Sequence, residues 1–555
     1  MAPAPSCARG AVLWWLAAVW LLAWALPDAP GFVSHNERPR LLQGRALVED
    51  GRLDLDAPSV AGLDAGIDRA VGRDGRRYPN KAPGLAIVAA ATWTLARHTD
   101  APERWHLRLS RLAGGTLPAV LLFGWLSCLP RLDPAARRSR RRATVLLFLV
   151  SPLWPYAKLF YGHALAGLFV YGAYRCGPDR GRTYARATAA GAFGGVAVTC
   201  EYTAAAFLLP LVAAATRRAF RAPRHRLRLL AGLAGALPPA VLLALYHRHA
   251  FGGVFETGYH HAARPAFAAV HARGLLGWSL PTATSLYEHL LSPWGGLLAV
   301  CPLVAFGIAA RRRLGTPEDP SIRAGPLVAL AVLLGLAQGG GFRVGPRYVV
   351  AALPLFVPAL ADNLPAIRRR PLLAFAAGAA AAAGVALCGT AAAVFPHLPP
   401  FGDPWADLLW PMATSTTPIP TLLGPLPARA VTAASVLPAA AMAAACLAAD
   451  APRRSKVAAA AGISAAALLL ALRAHTATVE GAAFCRALAG AAGLPVACPA
   501  PPSEPAEHHD AGPAAYQRGR KRKPPAPPLA QSRPQTAGVR PDGQPRYGQG
   551  LTEER

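Results

Sequence analysis

Charge is scarce in this 555-residue chain: only 16% of its residues are Asp, Glu, Lys or Arg, where a soluble protein carries about a quarter. Acids are scarcest, 29 against 58 Lys and Arg, which gives a formal net charge of +29. Metal-ligand spacing is missing too. The nine cysteines are scattered, mostly within apolar runs, with no Cys-x-x-Cys pair, so no metal is expected. Neither a G-x-G-x-x-G signal nor a Walker A loop occurs, which argues against a nucleotide cofactor. No repeat of solenoid period is visible, nor an inverted repeat of the transporter kind. The first apolar run lacks a small-residue cleavage site after it and reads as a retained signal anchor.

What the chain has is hydrophobicity, 53% of residues, in long runs of Ala, Leu and Val such as 11–27, 229–246 and 324–339. Crossing a bilayer takes roughly 17–25 apolar residues, and lipid leaves the backbone only helical hydrogen bonds. The expected fold class is an all-α polytopic membrane protein. The positive charge comes in clusters between those runs: Arg137 to Arg142, Arg217 to Arg228, Arg311 to Arg313, Arg368 to Arg370 and Arg453 to Lys456. That is the pattern of cytoplasmic loops, whereas nucleic-acid binding asks for one stripe on one domain. The bilayer is the expected partner, and nucleic acid is not.

Threading the chain with every major cluster inside gives about 13 transmembrane helices. The first spans 11–27 and leaves 28–107 as a first outer loop. Helices follow at 108–129, 143–158, 162–177, 187–199, 202–215 and 228–246, and 247–292 forms a second outer loop. A span at 293–310 brings in Arg311 to Arg313; Arg343 and Arg347 sit in a short outer loop, another outer loop covers 395–428, and a last span ends near Leu472. The apolar stretch 84–97 is too short and breaks parity as a span, so it reads as a juxtamembrane or half-inserted helix. The transmembrane domain is therefore 1–499. The rest, 500–555, is a Pro-rich basic tail with Arg518 to Lys523, too polar to offset its ordering entropy and expected to be disordered. Cys485 and Cys498 follow the last span; outside the cytoplasm they have the choice of a disulfide or two separate thiols.

The first outer loop is the most informative segment. Ser34 and Glu37 fit a capping box, Pro39 suits a first helical turn and Gly51 a stop, which predicts a short surface helix. Farther on, Asp74-Gly75 predicts a turn, and X-Pro steps keep the chain extended to Lys81, just before the apolar stretch.

In order and spacing these elements resemble the GT-C membrane glycosyltransferases, in particular the branch of protein mannosyltransferases and aminoarabinose transferases. That family has an acidic pair opening a surface helix and then a Lys-Pro-Pro-Leu-like element. Asn36-Glu37 and Lys81-Ala82-Pro83-Gly84 stand at those places. Further similarities are Gly44 to Gly51, Tyr161-Gly162-His163-Ala164-Leu165, Phe251 to Tyr259, Ser292 to Gly296, and Gly345-Pro346-Arg347-Tyr348. The resemblance covers roughly 10–360. It implies a polyprenyl-phosphate-linked sugar as donor, no cofactor, and a lipid, glycan or protein acceptor on the periplasmic or extracellular side of the plasma (inner) membrane. One departure matters: the family's first acid is Asn36 here, which leaves Glu37 as the surviving carboxylate.

The implied reaction displaces a lipid phosphate from an anomeric carbon, which takes a base for the acceptor proton and cations for the phosphate. Glu37 is the candidate base, with Asn36 beside it and Asp64 and Asp68 as alternatives; Lys81, Arg343 and Arg347 are the candidate phosphate partners. His163, Glu201, Tyr202, Tyr259 and His260 are candidate cavity residues; Glu201 is singled out as a carboxylate between two apolar runs. Simpler roles are open to several of them: helix capping for Glu37, interfacial anchoring for Lys81, a satisfied polar contact for His163. A transporter or lipid flippase, or a GT-C-like scaffold without activity, are the competing readings.

Overall fold

The computed structural model describes residues 15–28, 34–128, 132–177, 183–274, 277–308, 319–337, 340–492 and 495–499. Arg311 to Arg313 and the basic tail from Ala500 lie outside the described residues.

The described chain is mostly helical. Six helices are long and apolar enough to cross a membrane: Pro102–Ser127, Pro223–Phe251, Arg347–Arg369, Pro371–Val394, Ala428–Ala448 and Arg453–Arg473. In chain order we call the elements used below α1 (15–23), α2 (Arg38–Glu49), α3 (Gly84–Ala96), α4 (Pro102–Ser127), α5 (Pro134–Leu149), α6 (His163–Cys176), α7 (Tyr184–Cys200), α8 (Ala204–Ala219), α9 (Pro223–Phe251), α10 (Pro265–His271), α11 (Gly325–Gly335), α12 (Arg347–Arg369), α13 (Pro371–Val394), α14 (Ala428–Ala448) and α15 (Arg453–Arg473). Two expected spans differ: the helix that enters 143–158 ends at Leu149 and only the short Leu153–Tyr156 follows it. Within 293–310 the chain makes only the short helix Leu297–Val300 and a 3-10 stretch at Pro302–Gly307. Pro302 has no N–H to continue the helix, and Cys301 before it leaves helical geometry at φ −140°.

Small residues let helices touch where hydrophobicity gives no preference between protein and lipid. On α7 and α9 a Cβ at Gly191 would lie 1.8 Å from the Gly232 carbonyl oxygen, and one at Gly235 would lie 1.9 Å from that of Thr188. The same device joins α13 and α15 through Gly378 and Gly462.

The connections sort to two ends. At one end, Leu26 N donates to Pro420 O at 2.8 Å, Val71 N to His261 O at 2.9 Å, and Arg343 N to Leu398 O at 2.9 Å. The expected loops 28–107 and 247–292 thus meet, as do the Arg343 segment and 395–428, and His397 lies 3.8 Å from Glu37. Away from them, Arg142 pairs with Asp450 at 2.8 Å and Arg368 with the same carboxylate at 3.6 Å, so three of the basic connections converge there.

Candidate functional site

A two-stranded hairpin assembles the first part of the site. Strand β1 (Arg69–Val71) pairs antiparallel with β2 (Arg77–Pro79), with Arg69 opposite Pro79. Its turn is the Asp74-Gly75 step, where Gly75 takes φ +75° and Asp74 accepts from Arg76 N at 3.1 Å. One residue beyond the strand ends, Asn80 N donates to the Asp68 carbonyl at 3.1 Å. This register brings the side chains of Asp68 and Lys81 together, with Nζ 3.4 Å from Oδ2. Helix α3 starts at Gly84, immediately after.

Asp68 and Lys81 open into a cavity of about 670 Å³. Asn36, Asn80, Tyr161, Tyr202, Tyr259, Arg347 and Tyr348 also line it. Lys81 Nζ lies 5.0 Å from the centre of the Tyr259 ring, whose other neighbours are His271, stacked at 4.2 Å, and Tyr202 at 5.7 Å. The Arg347 guanidinium lies over the Tyr348 ring at 4.9 Å and donates to its hydroxyl at 3.0 Å. Gly340 makes room for it: its φ is +89°, and a Cβ there would stand 2.6 Å from the guanidinium carbon. The lining also includes the apolar Leu209, Phe267, Val270, Trp278, Val332 and Leu336. Two cations against one carboxylate give the polar part of the lining a positive excess beside these apolar side chains.

Burial would raise the Asp68 carboxyl, but the charges of Lys81, Arg347, Arg40 and His35 hold it below the usual range. It is ionised at neutral pH and available to take a proton.

Glu37 is built into the protein differently. It has 0% exposure and is absent from the cavity lining. Both its oxygens are engaged by Arg111, Nε to Oε1 at 2.8 Å and Nη2 to Oε2 at 2.9 Å, while Phe160 N donates to Oε1 at 2.9 Å and Ser34 Oγ to Oε2 at 3.0 Å. Burial opposes ionisation here, yet the Arg111 charge and these hydrogen bonds hold the carboxyl at about 2. His397, 3.8 Å away, is kept down to about 3 chiefly by burial and is neutral.

Of the other residues anticipated from sequence, Asn36, Asp68, Lys81, Arg347, Tyr202 and Tyr259 are brought together in the cavity. Asp64 is exposed and paired with Arg38. Arg343 is buried but turned to Glu288 at 2.7 Å. His163 and Glu201 form a buried pair, 3.2 Å apart, away from the lining, and His260 sits with Glu256 at 3.3 Å. Sequence reasoning passed over Tyr348, Arg111 and Arg40. For Arg40 the signal was present, four residues after Asn36; for Arg111 there was none, since it lies 74 positions from Glu37. No group of three potential metal ligands occurs among the described residues.

No family model and no curated protein matches the sequence. Solved structures do. Over most of its length the chain is structurally similar to the arabinosyltransferase EmbB from Mycobacterium smegmatis and to ArnT from Cupriavidus metallidurans. With EmbB the identity is 16% and the TM-score 0.42, over 85% of this chain and 41% of EmbB, so this chain spans less than half of that protein. With ArnT in the apo state the figures are 15% and 0.38, over 82% of this chain and 78% of ArnT. With ArnT bound to undecaprenyl phosphate they are 14% and 0.34, over 82% and 76%. At such identities the residues of the cavity decide what it can do.

Proposed function

We propose that this protein is a membrane glycosyltransferase that moves a sugar from a polyprenyl-phosphate-sugar donor to an acceptor hydroxyl on the non-cytoplasmic face. The observation that carries the reading is the cavity itself, whose lining joins the Asp68 carboxylate and the cations Lys81 and Arg347 to a set of apolar side chains. A ligand with an anionic head and a hydrocarbon chain matches both kinds of lining.

In this reading Lys81 and Arg347 hold the donor phosphate, Lys81 as a point charge and Arg347 as a planar fork. Asp68 is the base. It takes the proton as the acceptor oxygen bonds to the anomeric carbon; the bond from that carbon to the phosphate oxygen breaks, and its electron pair leaves with the lipid phosphate. The cations then stabilise charge that grows in the transition state. Glu37 takes no proton in this scheme, because Arg111 already holds both of its oxygens. Its place is structural, tying the start of α2 to α4.

The same cavity fits a lipid carrier that binds and moves the donor without cleaving it. Purified protein in nanodiscs, offered a panel of radiolabelled polyprenyl-phosphate sugars with membrane-lipid and glycan acceptors, separates the two. The glycosyltransferase reading predicts free polyprenyl phosphate and a labelled acceptor. Donor that binds or crosses the bilayer intact throughout the panel would overturn it in favour of the carrier.

A further inference from the structure

We propose that Asn36, itself oriented by Arg40, is a positioning residue for Asp68: its amide holds one carboxylate oxygen so that the other is left to receive the acceptor proton. This rests on the reading of Asp68 as the base.

The inference starts from Arg40, which is 2% exposed and lies one helical turn after Asn36. Its Nη1 donates to Asn36 Oδ1 at 2.6 Å, to the Tyr161 carbonyl at 2.8 Å and to that of Phe160 at 3.3 Å. A guanidinium has only donors, so the oxygen of the Asn36 amide must face it. The amide nitrogen then points the other way, and there it meets Asp68, with Nδ2 3.5 Å from Oδ2. The flipped amide would set NH₂ against the guanidinium and oxygen against the carboxylate, two repulsions in place of two attractions.

Lys81 approaches the same oxygen, Oδ2, at 3.4 Å. Both contacts fall on Oδ2, and Oδ1 has no hydrogen-bond partner among the described residues. The carboxylate is therefore fixed by one oxygen and open at the other. An acid at position 36 could not do this. It would satisfy Arg40 but offer Asp68 a like charge in place of a donor, and two carboxylates that close titrate as a pair with the upper value raised. The titratable groups facing Asp68 are Lys81 beyond β2, Arg40 on α2, Arg347 at the start of α12, His35 beside Asn36, and Tyr161 before α6. Among the described residues none of them is hydrogen-bonded to the Asp68 carboxylate as Asn36 is.

The test is titration of the Asp68 carboxyl in full-length protein in nanodiscs, by NMR of ¹³C-aspartate with the signal assigned by its loss in Asp68→Asn. Asn36→Asp is expected to raise the apparent pKa of that group by about one unit or more, and Asn36→Ala by less. Where transfer from a polyprenyl-phosphate sugar is followed, the acid limb of kcat/KM moves up with it. Asn36→Ala is expected to lower kcat about tenfold or more with donor KM unchanged, since misplacement by about 1 Å can cost on the order of 10²-fold. An Asp68 signal that titrates identically in wild type, Asn36→Asp and Asn36→Ala would overturn the positioning role while leaving the base in place. Undiminished transfer by Asp68→Asn would instead remove the base, and the positioning role with it. Two variants guard against one failing to fold.

Discussion

Glu37 and Asp68 have opposite fates, and charge environment separates them. Glu37 is sealed and fully paired, whereas Asp68 keeps one oxygen open at a cavity. The Glu37 carboxyl is held at about 2 against an ordinary 4.5, a difference on the order of 3 kcal/mol. Because the folded value is the lower one, that stability is fully present above pH 4.5 and drains away as the pH falls toward 2. Thermal unfolding in detergent across that window should show the loss in wild type, and Glu37→Gln should flatten it while lowering the melting temperature at pH 7. Removing one partner of a buried pair typically costs about 3–5 kcal/mol. Lys81→Ala and Arg347→Ala make a separate prediction. Each should weaken binding of a polyprenyl-phosphate sugar by tenfold or more, about 1.4 kcal/mol, because each removes a charge aimed at phosphate. Arg343→Ala should change donor affinity little, since Arg343 is directed at Glu288. Equal losses from all three, measured by tryptophan quenching, would contradict the division drawn between them.

Among the elements, those built on local rules were legible in the sequence. The Asp74-Gly75 turn, the surface helix after Ser34, its stop at Gly51 with φ +64°, and the apolar helix after Lys81 all follow from residue type and position. Once the turn is placed, antiparallel pairing puts Asp68 across from Asn80 and Lys81, so half of the site was accessible. The other half depends on long-range contact. Nothing in the vicinity of Glu37 announces Arg111, and the capping box expected of Ser34 and Glu37 does not form: Glu37 is itself the N-cap, without a side-chain cap bond, and its carboxylate goes to Arg111, Phe160 N and Ser34 Oγ. The span expected at 293–310 failed because hydropathy ignores backbone chemistry at Pro302. Close helix contact makes the prediction at this scale. Gly235→Leu should disrupt the α7–α9 pair, lowering the melting temperature and the yield of monodisperse protein, while Leu237→Ala, on an exposed position of the same helix, should do neither.

For the whole molecule, 28–107 lies against 247–292 and the Arg343 segment against 395–428, while Arg142 and Arg368 both reach Asp450. Cys485 and Cys498 are joined as a disulfide after the last long helix. The threading read from the basic clusters predicts that this pair lies on the non-cytoplasmic side, where a disulfide persists. Maleimide added to intact cells should therefore label a cysteine placed at Leu423 and spare one placed at Arg453; the reverse pattern would turn the molecule over. The central claim is narrower and can be tested more directly. Single-turnover transfer from a radiolabelled polyprenyl-phosphate sugar, in nanodiscs, should be compared between Asp68→Asn and Glu37→Gln, each normalised to folded protein. General-base help is worth about 10²–10⁴ in rate, so Asp68→Asn should lose that much while still binding donor, and Glu37→Gln should keep its turnover. Normal turnover in Asp68→Asn, with folded Glu37→Gln inactive, would contradict the account and return the base to Glu37.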